Sequence, residues 1–163
     1  SNALAARCSS LRQEMIRERR TMQMGKTENP AVSERRILKK FLQRYYRMRK
    51  QQETLQARLQ RMRSEFRDNE STEIEAKLRT QKREAKKSTL QIMEILDFLP
   101  QGSTERTIME LRHIDCKTWT QVQRAVFLTP SPCYERYNKG LDALLGIDKV
   151  RSMVGLPKNG SGG

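Results

Sequence analysis

The chain is poor in the residues on which metal proteins, secreted domains and most enzymes depend. Its 163 residues include three cysteines and a single histidine. Cys8, Cys116 and Cys133 stand at no metal-ligand spacing, and His113 is joined by no second histidine or CxxC pair, so reduced thiols and no structural metal are expected. No nucleophile with its base, carboxylate pair or glycine-rich phosphate loop is present, which argues against an enzyme and against a cofactor; Ser103 to Arg106 reads as a helix cap. Apolar runs are short: none approaches the roughly 18 residues of a membrane span. The N-terminal stretch is too broken by Arg and Glu for a signal peptide. These absences predict a cytoplasmic protein without a membrane partner. Hydrophobic residues at 36% and aromatics at 6% leave little for a large core, but long solvated helices joined to a small one are compatible with them.

Acidic residues are also in the minority, and here the deficit points to a partner. Against 33 Lys and Arg stand 19 Asp and Glu, a net charge of +14. A polyanion gains affinity from each cation that displaces a condensed counterion, so nucleic acid is favoured. Residues 1–100 carry 24 basic and 13 acidic side chains (+11), and 101–163 carry 9 and 6 (+3). The bland alternative is a set of solvated helices, although balanced Glu would serve solubility equally well.

Ser1 to Ala3 look like a tag-cleavage scar, and Asn159 to Gly163 have the composition of a flexible tail, within a tail expected over 148–163. Residues 1–32 read as an arm with a weak apolar stripe (Leu11, Met15, Ile16, Met22, Met24) and a linker at Gly25 to Val32 punctuated by Pro30. From an N-cap at Ser33, a three-four spacing of Leu38, Phe41, Tyr45, Met48, Gln52, Leu55, Leu59, Met62 and Phe66 predicts a coiled-coil seam. Gln52, its one polar member, suits register. RDNESTE at 67–73 breaks the helix, Ser71 or Thr72 restarts it, and a second seam follows: Ile74, Leu78, Gln81, Ala85, Ser88, Ile92, Ile95 and Leu99. Eight basic residues and no acid between Arg35 and Lys50 disfavour a parallel partner, which would set Arg44 against Arg49. An all-α fold with an antiparallel hairpin over 33–99 is predicted, bringing Glu94 and Asp97 near Lys39, Lys40 and Arg44.

After Pro100 and Gly102, a helix capped at Ser103 or Thr104 carries Ile108, Leu111 and Ile114 on one side; Thr118 caps WTQVQRAVFL; Pro130 and Pro132 open a last helix with Tyr134, Tyr137, Leu141, Leu144 and Leu145 as its buried stripe. Such a succession over 90–147 suits a small helix-turn-helix domain sharing the end of the second long helix. Trp119 and both tyrosines read as core, with the tyrosine hydroxyls able to reach phosphate. Outer-face candidates for DNA contact are Thr118, Gln121 and Arg124 toward phosphate, and Ser131, Glu135, Arg136, Asn138 and Lys139 toward bases or backbone. Arg or Lys matches guanine, Asn adenine, and Glu the amino group of cytosine. Arg44, Arg47 and Lys50 are further phosphate-contact candidates.

The run STERTIMELRHIDCKTWTQVQRAV followed by YERYNKGLDALL resembles the sigma-factor-like C-terminal domain of ArpU- and RinA-type late-gene regulators of Gram-positive phages. Arg106, Met109, Leu111, Arg112, Thr118, Trp119, Val122, Leu141 and Leu144 stand at the matching positions. The resemblance implies a phage or prophage transcription regulator that binds double-stranded DNA in a bacterial cell as a homodimer, with RNA polymerase as a further partner. The sequence departs from the usual motif in having Gln123 and Phe127 where a small residue and a turn glycine stand, so a longer or differently shaped turn is expected. Two other functions fit the residues: a small terminase subunit for DNA packaging, and a coiled-coil protein binding nucleic acid without sequence preference.

Overall fold

The computed structural model describes residues 10–15, 29–65 and 71–160, and all regular structure among them is helical. The chain divides into two compact units, Ser1–Ser33 and Glu34–Gly163. In the first, residues 10–15 are helical, with Leu11 and Met15 exposed. The residues read as a scar, Ile16, Met22 and Met24 of the stripe, residues 25–28 of the linker and residues 161–163 lie outside the described residues.

Helix α1 (Pro30–Leu42) begins ahead of the expected Ser33 cap. Asn29 supplies the cap instead: its Oδ1 accepts from the Ala31 N–H at 3.1 Å, and its carbonyl accepts from Val32 and Ser33. Pro30 is thus the first helical residue, where its missing N–H costs nothing. Helix α2 (Arg44–Glu65) follows after an interruption at Gln43, which still donates to Lys39 and accepts from Arg47, so the expected straight helix is a long bent one. Helix α3 (Ser71–Leu96) runs back along it. Gln52 Nε2 donates to the Gln81 carbonyl at 3.2 Å and Arg63 pairs with Glu75; partners advance along α2 as they retreat along α3, which is the antiparallel hairpin. Phe66 and the turn at 67–70 lie outside the described residues.

The seams face inward as their spacing requires. Leu38, Phe41, Leu59, Leu78, Ala85, Ser88, Ile92, Ile95 and Leu99 are buried, and Tyr45, Met48, Gln52, Leu55, Met62, Ile74 and Gln81 are half-buried. Leu42 and Leu96 flank the seam and are buried as completely as its members. A second layer explains this: α4 (Thr104–His113), α5 (Trp119–Val126), α6 (Pro130–Leu145) and α7 (Asp148–Val154) close over one end of the hairpin. A single core joins Leu38, Leu42, Ile92, Ile95, Ile108, Met109, Val122, Leu141, Leu144 and Val150. Each such side chain contributes about 1.5–3 kcal/mol by leaving water.

Helix α7 corrects the expectation of a tail over 148–163. Val150 is fully buried, and Arg151 is 5% exposed yet fully paired: its guanidinium donates to both carboxylate oxygens of Glu34 at 2.9 and 2.8 Å and to the Leu145 carbonyl at 3.1 Å. A buried charge is tolerated only when paired in this way, and the planar fork of Arg suits a two-oxygen partner. The acids expected to meet Lys39, Lys40 and Arg44 also go elsewhere. Glu94 pairs with Lys149 at 2.8 Å and Asp97 with Arg106 at 2.8 Å, because the second layer offers cations nearer to α3 than α1 does.

Candidate nucleic-acid interface

The local chemistry of α4, α5 and α6 fixes which side chains face outward. Ser103 accepts from the Arg106 N–H at 3.2 Å and starts α4. Thr118 and Gln121 form a reciprocal capping box at α5: Thr118 Oγ1 accepts from the Gln121 N–H and Gln121 Oε1 from the Thr118 N–H. The box uses acceptor oxygens and leaves the threonine O–H and glutamine NH2 as donors, which suits an anionic partner.

Three residues, Phe127, Leu128 and Thr129, connect α5 to α6. Contrary to the longer turn expected, Phe127 itself takes the left-handed conformation (φ 55°) and closes α5, donating to Arg124, while its ring is 93% exposed. Cys116, in the turn before α5, has the same φ. A non-glycine residue held there costs on the order of 1–2 kcal/mol, so packing elsewhere dictates both turns. Thr129 precedes α6 but makes no side-chain cap, because Pro130 and Pro132 remove the N–H groups at the first and third helical positions. Contact with an anion at this end of α6 therefore falls to side chains and to the Ser131 N–H.

An aromatic cluster holds α6 against α4 and α5. Trp119 meets Tyr134 and Tyr137 edge-on, each at 4.9 Å between centroids, and the Arg112 guanidinium lies over its ring at 4.9 Å. Tyr137 is core, as expected, but its hydroxyl does not reach outward: it is bonded to His113 Nε2 at 2.8 Å. Tyr134 is 41% exposed and is not core. Burial, with Arg112 and Lys39 adding to it, pushes the His113 pKa down to about 3, so the imidazole is neutral. Burial likewise raises the Tyr137 phenol well above its usual range.

The eight outer-face candidates separate into groups. Thr118, Gln121 and Arg124 are exposed on α5 and its cap; Ser131, Glu135 and Lys139 are exposed on α6. Arg136 is also exposed but turns aside to Glu105 of α4 at 3.1 Å, and Asn138 is half-buried. Glu105 is held below the usual carboxylate range first by its own backbone amide, then by Arg136. No family model, curated protein or solved structure matches this chain. Among the described residues no cluster of His, Cys, Asp and Glu is arranged to hold a metal ion, and no helix is long and apolar enough to cross a membrane.

Of the hairpin cations singled out from the sequence, Arg44 lies over the Phe41 ring, Arg47 donates to the Lys40 carbonyl, and Lys50 sits beside Glu53 and the Tyr46 ring. Sequence reasoning did not count Arg49, Arg112 or Lys117 among the contact candidates. Arg112 donates to the Lys117 carbonyl at 2.9 Å, and the Lys117 N–H donates to Leu111, so the turn before α5 is tied at both sides. Arg49 and Cys116 of that turn line the same cleft. Nothing in the spacing of α2 announces a neighbour 67 residues away.

Proposed function

We propose that this protein is a DNA-binding transcription regulator of phage or prophage origin, with α4, α5 and α6 acting as a sigma-like helix-turn-helix. The observation that carries the reading is the join between α5 and α6. A three-residue connection sets the two helices against each other through Trp119, Tyr134 and Tyr137, and leaves Ser131, Glu135 and Lys139 on the outward side of α6. In such motifs the second helix enters the major groove by its N-terminal half while the preceding helix contacts phosphate. The donors left over by the Thr118 and Gln121 capping box suit that phosphate contact, and the excess of cations favours DNA generally. The likeness to ArpU- and RinA-type regulators supports the same assignment. Two chains bind together in this reading, which distinguishes a regulator from the ring of a small terminase.

Selection of binding duplexes from a random pool, followed by sequencing, tests the proposal. A recovered consensus is expected, bound by a particle with the mass of a dimer. Ser131→Ala and Lys139→Ala should each cost about 1–3 kcal/mol at that site and much less on random duplex. Arg136 is a poorer probe, because its removal also releases Glu105. Equal losses on both duplexes would favour a nucleic-acid binder without sequence preference, and a ring of many copies would favour packaging.

A further inference from the structure

The cations of this chain differ in how firmly they are held. Arg35, Arg106 and Arg151 are held closely by carboxylates of the chain at 2.5, 2.7 and 2.8 Å. Arg49 and Lys50 share one exposed acid, Glu53, at 3.8 and 3.4 Å, lengths at which a surface pair contributes little. They stand at the wall of a cleft of about 210 Å³ whose other wall is the turn before α5, with Asp115, Cys116, Lys117 and Gln121. Lys117 is fixed there by the two backbone bonds of its turn, and Gln121 presents the donor NH2 left by its capping box.

We propose that Arg49 and Lys50 of α2 and Lys117 of the α4–α5 turn form one phosphate-contact surface, so that duplex DNA gripped by the helix-turn-helix is also gripped by the hairpin. This rests on the DNA-binding reading above and extends it. Three cations from segments far apart in sequence meet beside a glutamine whose remaining hydrogen-bonding atoms donate. The two acids in the cleft set the limit. Glu53 loses its loose partners when a phosphate arrives, and Asp115 opposes the approach. The contact is therefore one of charge, indifferent to base sequence, and it sets the direction in which DNA leaves the domain.

The test uses the full chain, the selected duplex and a random duplex, with binding measured by fluorescence anisotropy at several salt concentrations. Arg49→Ala and Lys117→Ala should each weaken both duplexes by a similar factor and reduce the magnitude of the slope of log K against log salt by about one. Glu53→Gln should tighten both. Arg61→Ala, twelve residues and so about 18 Å along α2 at about 1.5 Å per residue, should leave the slope unchanged. As a second readout on the unmutated chain, bound duplex should slow alkylation of Cys116, half-buried in the cleft, followed at the level of its peptide. If Ser131→Ala weakens selected DNA while Arg49→Ala and Lys117→Ala leave affinity and slope unchanged and Cys116 reacts as fast with DNA as without, the hairpin contact is wrong and the helix-turn-helix reading stands. If the unmutated chain binds neither duplex at low salt, both readings fall together.

Discussion

At the end of the hairpin covered by α4 to α7, Leu38, Leu42, Ile92 and Ile95 are completely buried, and Leu96 and Leu99 nearly so. Along the rest of the hairpin, α2 and α3 bury Leu59, Leu78 and Ala85, while Met48, Leu55, Met62 and Ile74 are only half-covered. The seam is equally regular at both ends, so regularity does not decide burial. Two helices expose one side of every seam residue, and a second layer is needed to remove the rest. Polar residues fall where that layer is missing or ends: Gln52 and Gln81 share a bond, but Gln81 Oε1 and Ser88 Oγ are buried without a partner among the described residues. Each group left so costs about 1–3 kcal/mol.

The largest effect that tests this contrast is truncation of the two leucine sets. Leu96→Ala and Leu42→Ala should each lower unfolding free energy in urea by about 2–5 kcal/mol, whereas Leu55→Ala, half-covered to begin with, should cost well under half as much. Comparable losses would show that the open half of the hairpin is covered in solution, as a second chain would do. Hydrogen exchange gives the same comparison without mutation: amides of 50–62 and 74–84 should exchange faster than those of 92–96.

A smaller effect belongs to the covered end alone. His113 has an ordinary pKa of 6.5 when exposed and one of about 3 in the fold, so below pH 6.5 the unfolded chain takes up a proton that the folded chain refuses. Stability should be unaffected by His113 above that pH. It should fall as the pH drops below it, at a slope approaching about 1.4 kcal/mol per unit, before carboxylates titrate near about 4. His113→Gln should flatten this part of the profile. An unchanged profile would mean that the His113 and Tyr137 pair is open to water.

The smallest expected effect lies within the covered end, at its one strained exposed residue. Phe127→Gly removes a ring that is 93% exposed and frees a left-handed backbone, at the cost of a more flexible unfolded chain. A gain of up to ~1 kcal/mol should appear as a higher Tm. A loss would show that the ring is covered by a partner in solution.

The hairpin was legible in the sequence because its signal is local and periodic: a seam read at three-four spacing names inward positions without knowing what they meet. The caps at Ser103 and Thr118 and the two prolines of α6 were legible for the same reason. What escaped depends on distant partners. Leu42 and Leu96 lie off the seam and are buried only because a second layer arrives. Glu94 and Asp97 are attracted by any nearby cation, and only the fold selects Lys149 and Arg106 over Lys39 and Lys40. Residues 148–154 are too few to show a period, so a packed helix read as a tail. In the candidate interface, outward positions followed from helical phase, but the diversion of Arg136 to Glu105 and the meeting of Arg49 and Cys116 in one cleft did not.

The pairing of Arg151 with Glu34 joins residues 117 apart in the chain. A ribosome releases Glu34 long before Arg151, and in that interval α1 has neither its ionic partner nor Val150 beside it. Closing so long a loop adds only modestly to the entropy already lost, since that cost grows with the logarithm of length. The consequence is one of timing. The core can be assembled from α1 to α6, but it is locked only when α7 emerges and lays its arginine on a carboxylate made well before it.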